Sequence, residues 1–301
     1  MVYIENLCRH FGAIHALNHI HLHVKPNQLF GLIGPDGAGK STLFDILATL
    51  RLPSSGKASI QGLDISKKAG QVRKLIGFMP GQFSLYQDLS VLENIQFFSN
   101  IYGVAFEASS PLIRDIWQQI EPFKHRPAGK LSGGMKQKLA LCCALAHKPT
   151  VLLLDEPTTG VDPVSRKEFW EMLKTLKSQN ITTLVSTPYM DEARRCECIA
   201  LIQNGKLLAV NPPEAVVAQF AFPLFGIQHP HLNTLLQPLR AFEKTRHCFA
   251  FGKTLHLTLN DTQTDEKDIA EFLNKQGHPH AHVQRLQPGI EDCFIELMKP
   301  P

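Results

Sequence analysis

The sequence predicts an α/β protein: a main domain built on a parallel sheet, followed by a smaller α+β domain. Three observations carry that reading. An apolar run (Leu29, Phe30, Leu32, Ile33) meets a glycine-rich turn and then a helical pattern (Leu43, Phe44, Ile46, Leu47). A second run, Val151 to Leu154, is apolar without interruption, as in strands buried on both faces of a parallel sheet. Around residues 212–225 the texture changes, and a shorter set of strand and helix patterns begins.

At 301 residues the chain has room for one large domain or two smaller ones. A hydrophobic share of 44% against 19% charged residues excludes a disordered polyelectrolyte. The net charge of +4 is mild and no dense Lys/Arg run marks a nucleic-acid footprint, so no nucleic-acid partner is expected. The seven cysteines form no even framework, and the start lacks a charged-then-apolar leader. Cys196 and Cys198 are too short a pair to make a zinc site alone. These features fit a reducing, cytoplasmic setting. No apolar stretch approaches the ~20 residues of a spanning helix. A membrane process would need another chain to cross the bilayer.

In chain order, residues 2–28 read as short strands about a turn. There His19, His21 and His23 alternate with apolar residues, the pattern of a half-buried strand's polar face rather than of metal ligands. The tract His278, His280 and His282 reads the same way. A turn cluster at 53–56 precedes a strand over 57–61, a helix over 71–75 and a strand over 76–79. From about Gln82 to Ala146 the periodicity is helical, with Val91, Leu92, Ile95, Phe98 and Ile101 on one stripe. A long helix is expected over 137–147 and a further buried strand over 182–186. Asn204 and Gly205 join strands at 199–202 and 206–209 into a hairpin. The tail shows strands at 249–251 and 255–259, a helix near 265–275 and a closing element near 291–298.

The turn after the first apolar run is Gly34, Pro35, Asp36, Gly37, Ala38, Gly39, Lys40, Ser41 and Thr42. It is the P-loop pattern G-x-x-x-x-G-K-S/T, in the strand–helix context that pattern requires. Glycines let backbone N–H groups curl around a triphosphate, and the helix opening there adds its positive end. Lys40 is placed to reach the outer phosphates and the Ser41 hydroxyl to ligate Mg²⁺. The strand at 151–154 ends in Asp155 and Glu156, so two carboxylates emerge at a sheet edge. Asp155 suits a hold on Mg²⁺, and Glu156, next along, is placed to polarise an attacking water. Ser132, Gly133 and Gly134 open a helix and expose N–H groups, a second anion cradle.

The order of P-loop, helical insert, Leu131-Ser132-Gly133-Gly134-Met135 and a strand ending Asp155-Glu156 resembles the nucleotide-binding subunits of ABC transporters, over roughly residues 2–218. The spelling Gly160-Val161-Asp162-Pro163 and the ending at 290–298 look most like ABC-2 type drug exporters, and more narrowly like one half of their tandem ATPases. The resemblance implies a P-loop NTPase ABC cassette over 1–220. That cassette comprises a RecA-like core, an antiparallel β subdomain and an α-helical insert at about 82–146, with an accessory α+β domain over 221–301. It implies ATP and Mg²⁺ held between two protomers, hetero- or homodimeric, with Leu131, Ser132, Gly133 and Gly134 acting in trans. It further implies an inter-subunit Asp loop at Asp162, Glu156 as general base, and Ser41, Asp155 and a glutamine at Mg²⁺. The partner would be a separate ABC-2 type membrane-spanning permease, with this chain peripheral on the cytoplasmic face of the membrane. Phe11, before Gly12, stands where the family places an adenine platform, and plain core packing explains an aromatic there equally.

Two positions depart from the family. Pro188 stands where a histidine belongs in Ser-Thr-His-x-x-x-Glu, here Ser186 to Glu192, and proline has neither a side-chain donor nor an N–H. Gly81 occupies the glutamine position, with Gln82 one residue later. Either Gln82 serves through a shifted loop or its contact is lost. The expected function is an exporter ATPase that binds MgATP and hydrolyses it slowly, paired more readily with a different ATPase than with itself. The alternative is an ATP-gated regulatory subunit without meaningful turnover. A cassette acting on ribosomes or DNA is disfavoured by the single P-loop and the lack of long heptads. In the tail, Phe294, Ile295 and Leu297 fit a dimer contact or the tail's own core equally well.

Overall fold

In the computed structural model, which describes residues 1–107 and 110–298, the chain opens with two antiparallel strands. These are β1 (Val2–Phe11) and β2 (Ile14–Val24), longer than the short strands expected. Alternation sorts their faces: Ile20, Leu22 and Val24 are buried while His19, His21 and His23 are exposed, so the histidines form a solvated face. Among the described residues no group of three or more His, Cys, Asp or Glu could hold a metal ion. There follow β3 (Leu29–Ile33), buried throughout, α1 (Lys40–Leu47), β4 (Ser55–Ile60), β5 (Leu63–Asp64), α2 (Ala69–Leu75) and β6 (Ile76–Met79). The first sheet has the order β2-β1-β4-β5.

Helical periodicity from about Gln82 misplaces the first helix of the insert. Residues 80–90 are loop, and α3 (Val91–Ile101) starts at a capping box formed by Ser90 and Glu93. The buried Asn94 side chain holds that loop, donating from Nδ2 to the carbonyls of Tyr86, Leu89 and Ser90. Next come α4 (Arg114–Ile120) and α5 (Gly133–Leu145). α5 begins a turn earlier than expected, because the Ser132 hydroxyl accepts from Met135 N and caps it.

The chain then forms β7 (Val151–Asp155), α6 (Pro163–Ser178), β8 (Thr182–Thr187), β9 (Cys198–Gln203) and β10 (Lys206–Asn211). The second sheet has the order β10-β9-β3-β8-β7-β6, parallel except for the β9–β10 hairpin. The hairpin turn has φ 48° at Asn204 and 71° at Gly205, the left-handed pair that an Asn-Gly turn supplies. Between the two sheets lies α1, whose Leu43, Phe44, Ile46 and Leu47 share one core with Ile4, Leu7 and Ile20 and with Phe30, Leu32, Leu153 and Leu184. Burying each such side chain contributes roughly 1.5–3 kcal/mol, so the P-loop helix is clamped where it starts.

The described chain divides into two compact units, one ending at Pro213 and the other opening at Glu214. Around and after that division run α7 (Pro213–Ala218), β11 (Leu224–Gln228), α8 (Leu232–Ala241), β12 (Thr245–Phe251), β13 (Thr254–Leu259), α9 (Glu266–Lys275), β14 (His282–Arg285) and α10 (Ile290–Leu297). An antiparallel sheet β12-β13-β11-β14 packs Phe225, Ile227, Leu255 and Leu257 against Leu235, Leu239, Ile269 and Leu273 of α8 and α9. Phe294 is buried, whereas Leu297 is 36% exposed.

Candidate nucleotide site

Three loops leave one edge of the six-stranded sheet. The parallel register pairs Ile33 with Thr187 and Asp155 with Ser186, so Gly34, Glu156 and Pro188 emerge side by side. Backbone bonds fix them there: Gly34 N donates to Thr187 O at 3.2 Å and Glu156 N to Ser186 O at 3.1 Å. Ligand clefts of parallel sheets lie at this carboxyl edge.

The P-loop curls from Gly34 into α1. Gly39 has φ 106°, and a Cβ there would strike the Ala16 carbonyl, so no other residue fits. Gly205, at the hairpin turn, donates its N–H to Ala38 O at 2.9 Å and braces the loop from behind. The resulting cleft, about 310 Å³, is lined by Gly37, Gly39, Lys40, Ser41, Thr42 and Glu156, with Ile14, His15, Ala16 and the hairpin turn at its edge. The first-turn N–H groups of α1 have no helical carbonyl to bond.

Lys40 is only 3% exposed. Its Nζ donates to Gly34 O at 2.8 Å and Pro35 O at 3.0 Å, and lies 3.0 Å from Glu156 Oε1. Asp36, on the exposed side of the loop, stands 3.8 Å from the same Nζ. Glu156 sits in the left-handed region with φ 47°, a conformation that costs a non-glycine residue about 1–3 kcal/mol and is concentrated at functional sites. Its N–H is also bonded to Ser186 Oγ at 2.9 Å, and that hydroxyl donates to Asp155 Oδ1 at 2.5 Å. Burial pushes the Asp155 carboxyl above its ordinary value, opposed by the hydroxyls of Ser186 and Ser41 and by the Lys40 charge. A buried carboxylate beside a serine hydroxyl is a hard-oxygen donor set, and it fits Mg²⁺.

The family model for ABC transporters matches residues 17–159. The chain is 34% identical over 297 residues to a Nod factor export ATP-binding protein I of Burkholderia lata, covering 97% of this chain and 95% of that one. The chain belongs to the ATP-binding proteins of ABC transporters. The cassette is also 39% identical over 272 residues to the probable multidrug ABC transporter ATP-binding protein YbhF of Escherichia coli, spanning 89% of this chain but 46%, about half, of that protein's length. Among solved structures it is similar to a dimeric ATP-binding cassette in a post-hydrolysis state with ADP and phosphate, with TM-score 0.63 and 27% identity over 70% of this chain and 98% of that one. An ATP-binding subunit of an ABC transporter gives TM-score 0.65 at 25% identity, over 73% and 93% of the two chains. The fold is thus an ABC ATPase cassette followed by a small α+β unit.

The remaining residues singled out in the sequence fall in several places around this cleft. The Phe11 ring is 39% exposed and flanked by the guanidinium groups of Arg9 and Arg51 at 4.7 and 5.0 Å, so it is not a core side chain. Its strand partner Ile14 lines the cleft, which puts Phe11 just beyond the rim. A Cβ on Gly81 would lie 3.4 Å from Asp155 Oδ2. Gly81 and Gln82 both line a separate cavity of about 360 Å³, together with Asp45, Met79 and Tyr102. The one-residue shift therefore leaves a glycine, with no side-chain donor, beside Asp155.

Leu131 is buried, and Ser132 and Gly133 are exposed at the start of α5. Gly134 is pressed against the start of α6, where a Cβ would come within 2.6 Å of Ser165 Oγ. Asp162 caps α6, accepting from Val164 N and Ser165 N, and these bonds hold its carboxyl below the ordinary value. Ser186, Thr187 and the Asn204–Gly205 turn were not singled out as site residues. The signal for Ser186 and Thr187 is present: a buried apolar strand that ends in two hydroxyls.

Proposed function

We propose that this cassette is the ATP-hydrolysing subunit of an ABC-2 type exporter, coupling MgATP turnover at a dimer interface to a separate membrane-spanning permease on the cytoplasmic face. The observation that carries the reading is the convergence of Lys40, Ser41 and Glu156 on one cleft, with the Asp155 carboxyl behind them near the Ser41 hydroxyl. The Escherichia coli and Burkholderia relatives, named as a multidrug transporter protein and an export protein, support the exporter assignment. Among the described residues no helix is long and apolar enough to cross a membrane, consistent with a partner that supplies the pore.

In this mechanism the P-loop N–H groups and Lys40 take the outer phosphates of ATP. Ser41 and Asp155 would hold Mg²⁺, which would supply charge neutralisation on the phosphate oxygens. Phosphate displaces Glu156 from Lys40, and the freed carboxylate takes a proton from the water that attacks the terminal phosphorus, whose bond to the bridging oxygen breaks to release ADP. The N–H groups at Ser132–Gly134 close over nucleotide on the opposite protomer, and Asp162 lies at that interface. Phe11 offers its ring to adenine once Arg9 or Arg51 moves aside.

Pro188 favours a second reading, an ATP-gated subunit with little turnover of its own. At the end of β8, beside Gly34 and Glu156, it has no group to orient water or hold phosphate. A partner ATPase with an intact histidine would complement it, receiving Ser132–Gly134 from this chain. Single-turnover hydrolysis by the purified chain tests the assignment. The expected rate is well below the about 10 s⁻¹ of an ordinary enzyme, rising in Pro188→His. Turnover at several per second, unchanged by that substitution, would refute slow hydrolysis. ATP-driven association without turnover in either form would leave the gating role.

A further inference from the structure

One buried carboxylate near the cleft has no part in the mechanism above. Glu192 is 1% exposed. Its Oε2 accepts from Thr158 Oγ1 at 3.0 Å and from Thr187 Oγ1 at 2.6 Å, and both threonines are fully buried. The first lies two residues after Glu156, and the second is the last residue of β8, directly before Pro188. Thr187 also accepts from Tyr189 N at 3.1 Å through the same hydroxyl, and its carbonyl takes the Gly34 N–H. On its other side Glu192 Oε1 stands 3.7 Å from Arg166 Nε of α6, and neither atom has another hydrogen-bond partner. The Arg166 guanidinium lies 4.1 Å over the Tyr189 ring.

A carboxylate withdrawn from water in this way is retained only when paired and hydrogen-bonded, and here the partners come from three different segments. Two of those segments carry site groups. The Thr158 loop closes back on Glu156, with Thr159 N donating to Glu156 O at 3.2 Å and Val161 N to Thr158 O at 3.2 Å. The Thr187 arm ends at the P-loop. Glu156 itself holds a left-handed backbone that must be enforced by its surroundings.

We propose that Glu192 is a positioning residue for hydrolysis, a clamp that holds the Glu156 loop against the end of β8 without touching nucleotide. The proposal rests on the assignment of Glu156 as general base. Beside the bonds from Glu156 N to Ser186 O and Oγ, the clamp ties the two loops through side chains just past that strand end.

The test uses the full chain with Thr158→Val and Glu192→Gln, which remove one arm and the charge respectively. ATP turnover, the KM for ATP, thermal unfolding and amide exchange at Thr159 and Val161 are read together. The expected result is a fall in kcat of roughly fivefold for Thr158→Val and at least about tenfold for Glu192→Gln, the scale of a lost hydrogen bond to a charged group. KM should stay within about twofold because the P-loop is untouched, and exchange at Thr159 and Val161 should rise. A residue that served stability alone would lower Tm while leaving kcat of the folded fraction unchanged, and that pattern overturns the proposal. If the unmodified chain does not turn over, the hydrolysis assignment falls, and the exchange measurement alone decides the clamp: unchanged exchange at both amides rejects it.

Discussion

Lys40 Nζ lies 3.0 Å from Glu156 Oε1, so the group assigned to the phosphates and the group assigned to water are bonded to each other. The pair is compact because both sit at the sheet edge, with Lys40 3% exposed and Glu156 strained into the left-handed region. Nucleotide and Glu156 compete for one ammonium group. Glu156→Gln removes the competing charge, and we expect ATP affinity to rise severalfold while turnover falls roughly 10²–10⁴-fold. Equilibrium binding of a fluorescent ATP analogue beside a phosphate-release assay checks both halves; weaker binding in the variant would refute the competition.

Asp155 offers a pH test. Its carboxyl is raised by burial, so the folded chain binds that proton more tightly than the unfolded chain does. The stabilisation from the bound proton is complete below the ordinary carboxylate value and is lost as pH rises through the raised one. Asp155→Asn keeps an acceptor for Ser186 and carries no charge. At neutral pH it should unfold at a higher temperature than the parent, while losing Mg²⁺-dependent turnover. Thermal scans at pH 5 and 8 should show the gap widening with pH.

Gly134→Ala tests the contact between the helix starts of α5 and α6. The added methyl meets Ser165 within 2.7 Å at both Cβ and Oγ, so one helix start has to move. Overpacking of this kind costs about 1–3 kcal/mol. We expect a lower Tm and weaker ATP-induced association, read by light scattering with and without MgATP. Normal association would show that the Ser132–Gly134 turn tolerates displacement.

Asn94→Ala tests the loop at 82–90. Three carbonyls lose their donor at once, and an unsatisfied buried polar group costs about 1–3 kcal/mol. Unfolding in urea should report a loss in this range, with faster amide exchange at Tyr86, whose N–H is bonded to Asn94 Oδ1. An unchanged Tyr86 amide would mean that the loop is held by other contacts.

The P-loop, the Asp155–Glu156 strand end and the Ser132 helix cap are local features, and each is legible because a few adjacent residues create it. Glycine positions, an uninterrupted apolar run and a hydroxyl before a helix act over less than two turns of chain. The hairpin at Asn204–Gly205 is readable for the same reason, since its turn needs two left-handed residues in succession. Helix starts were less legible. Apolar periodicity by itself sets neither start: α3 begins later, at the capping box of Ser90, and α5 earlier, at the cap that the Ser132 hydroxyl itself signals.

By itself the sequence determined that the chain carries a triphosphate loop, two carboxylates at a strand end and a departure at Pro188, all written in adjacent residues. The tertiary structure decided what these groups touch. It bonded Lys40 to Glu156, placed Gly81 beside Asp155, left Phe11 exposed between two arginines, and buried Glu192 among Thr158, Thr187 and Arg166. The Lys40–Glu156 and Glu192 contacts depend on the register of β3, β8 and β7, which brings residues more than a hundred positions apart to one edge. Register is set by packing across the whole sheet, and no short stretch of sequence contains it.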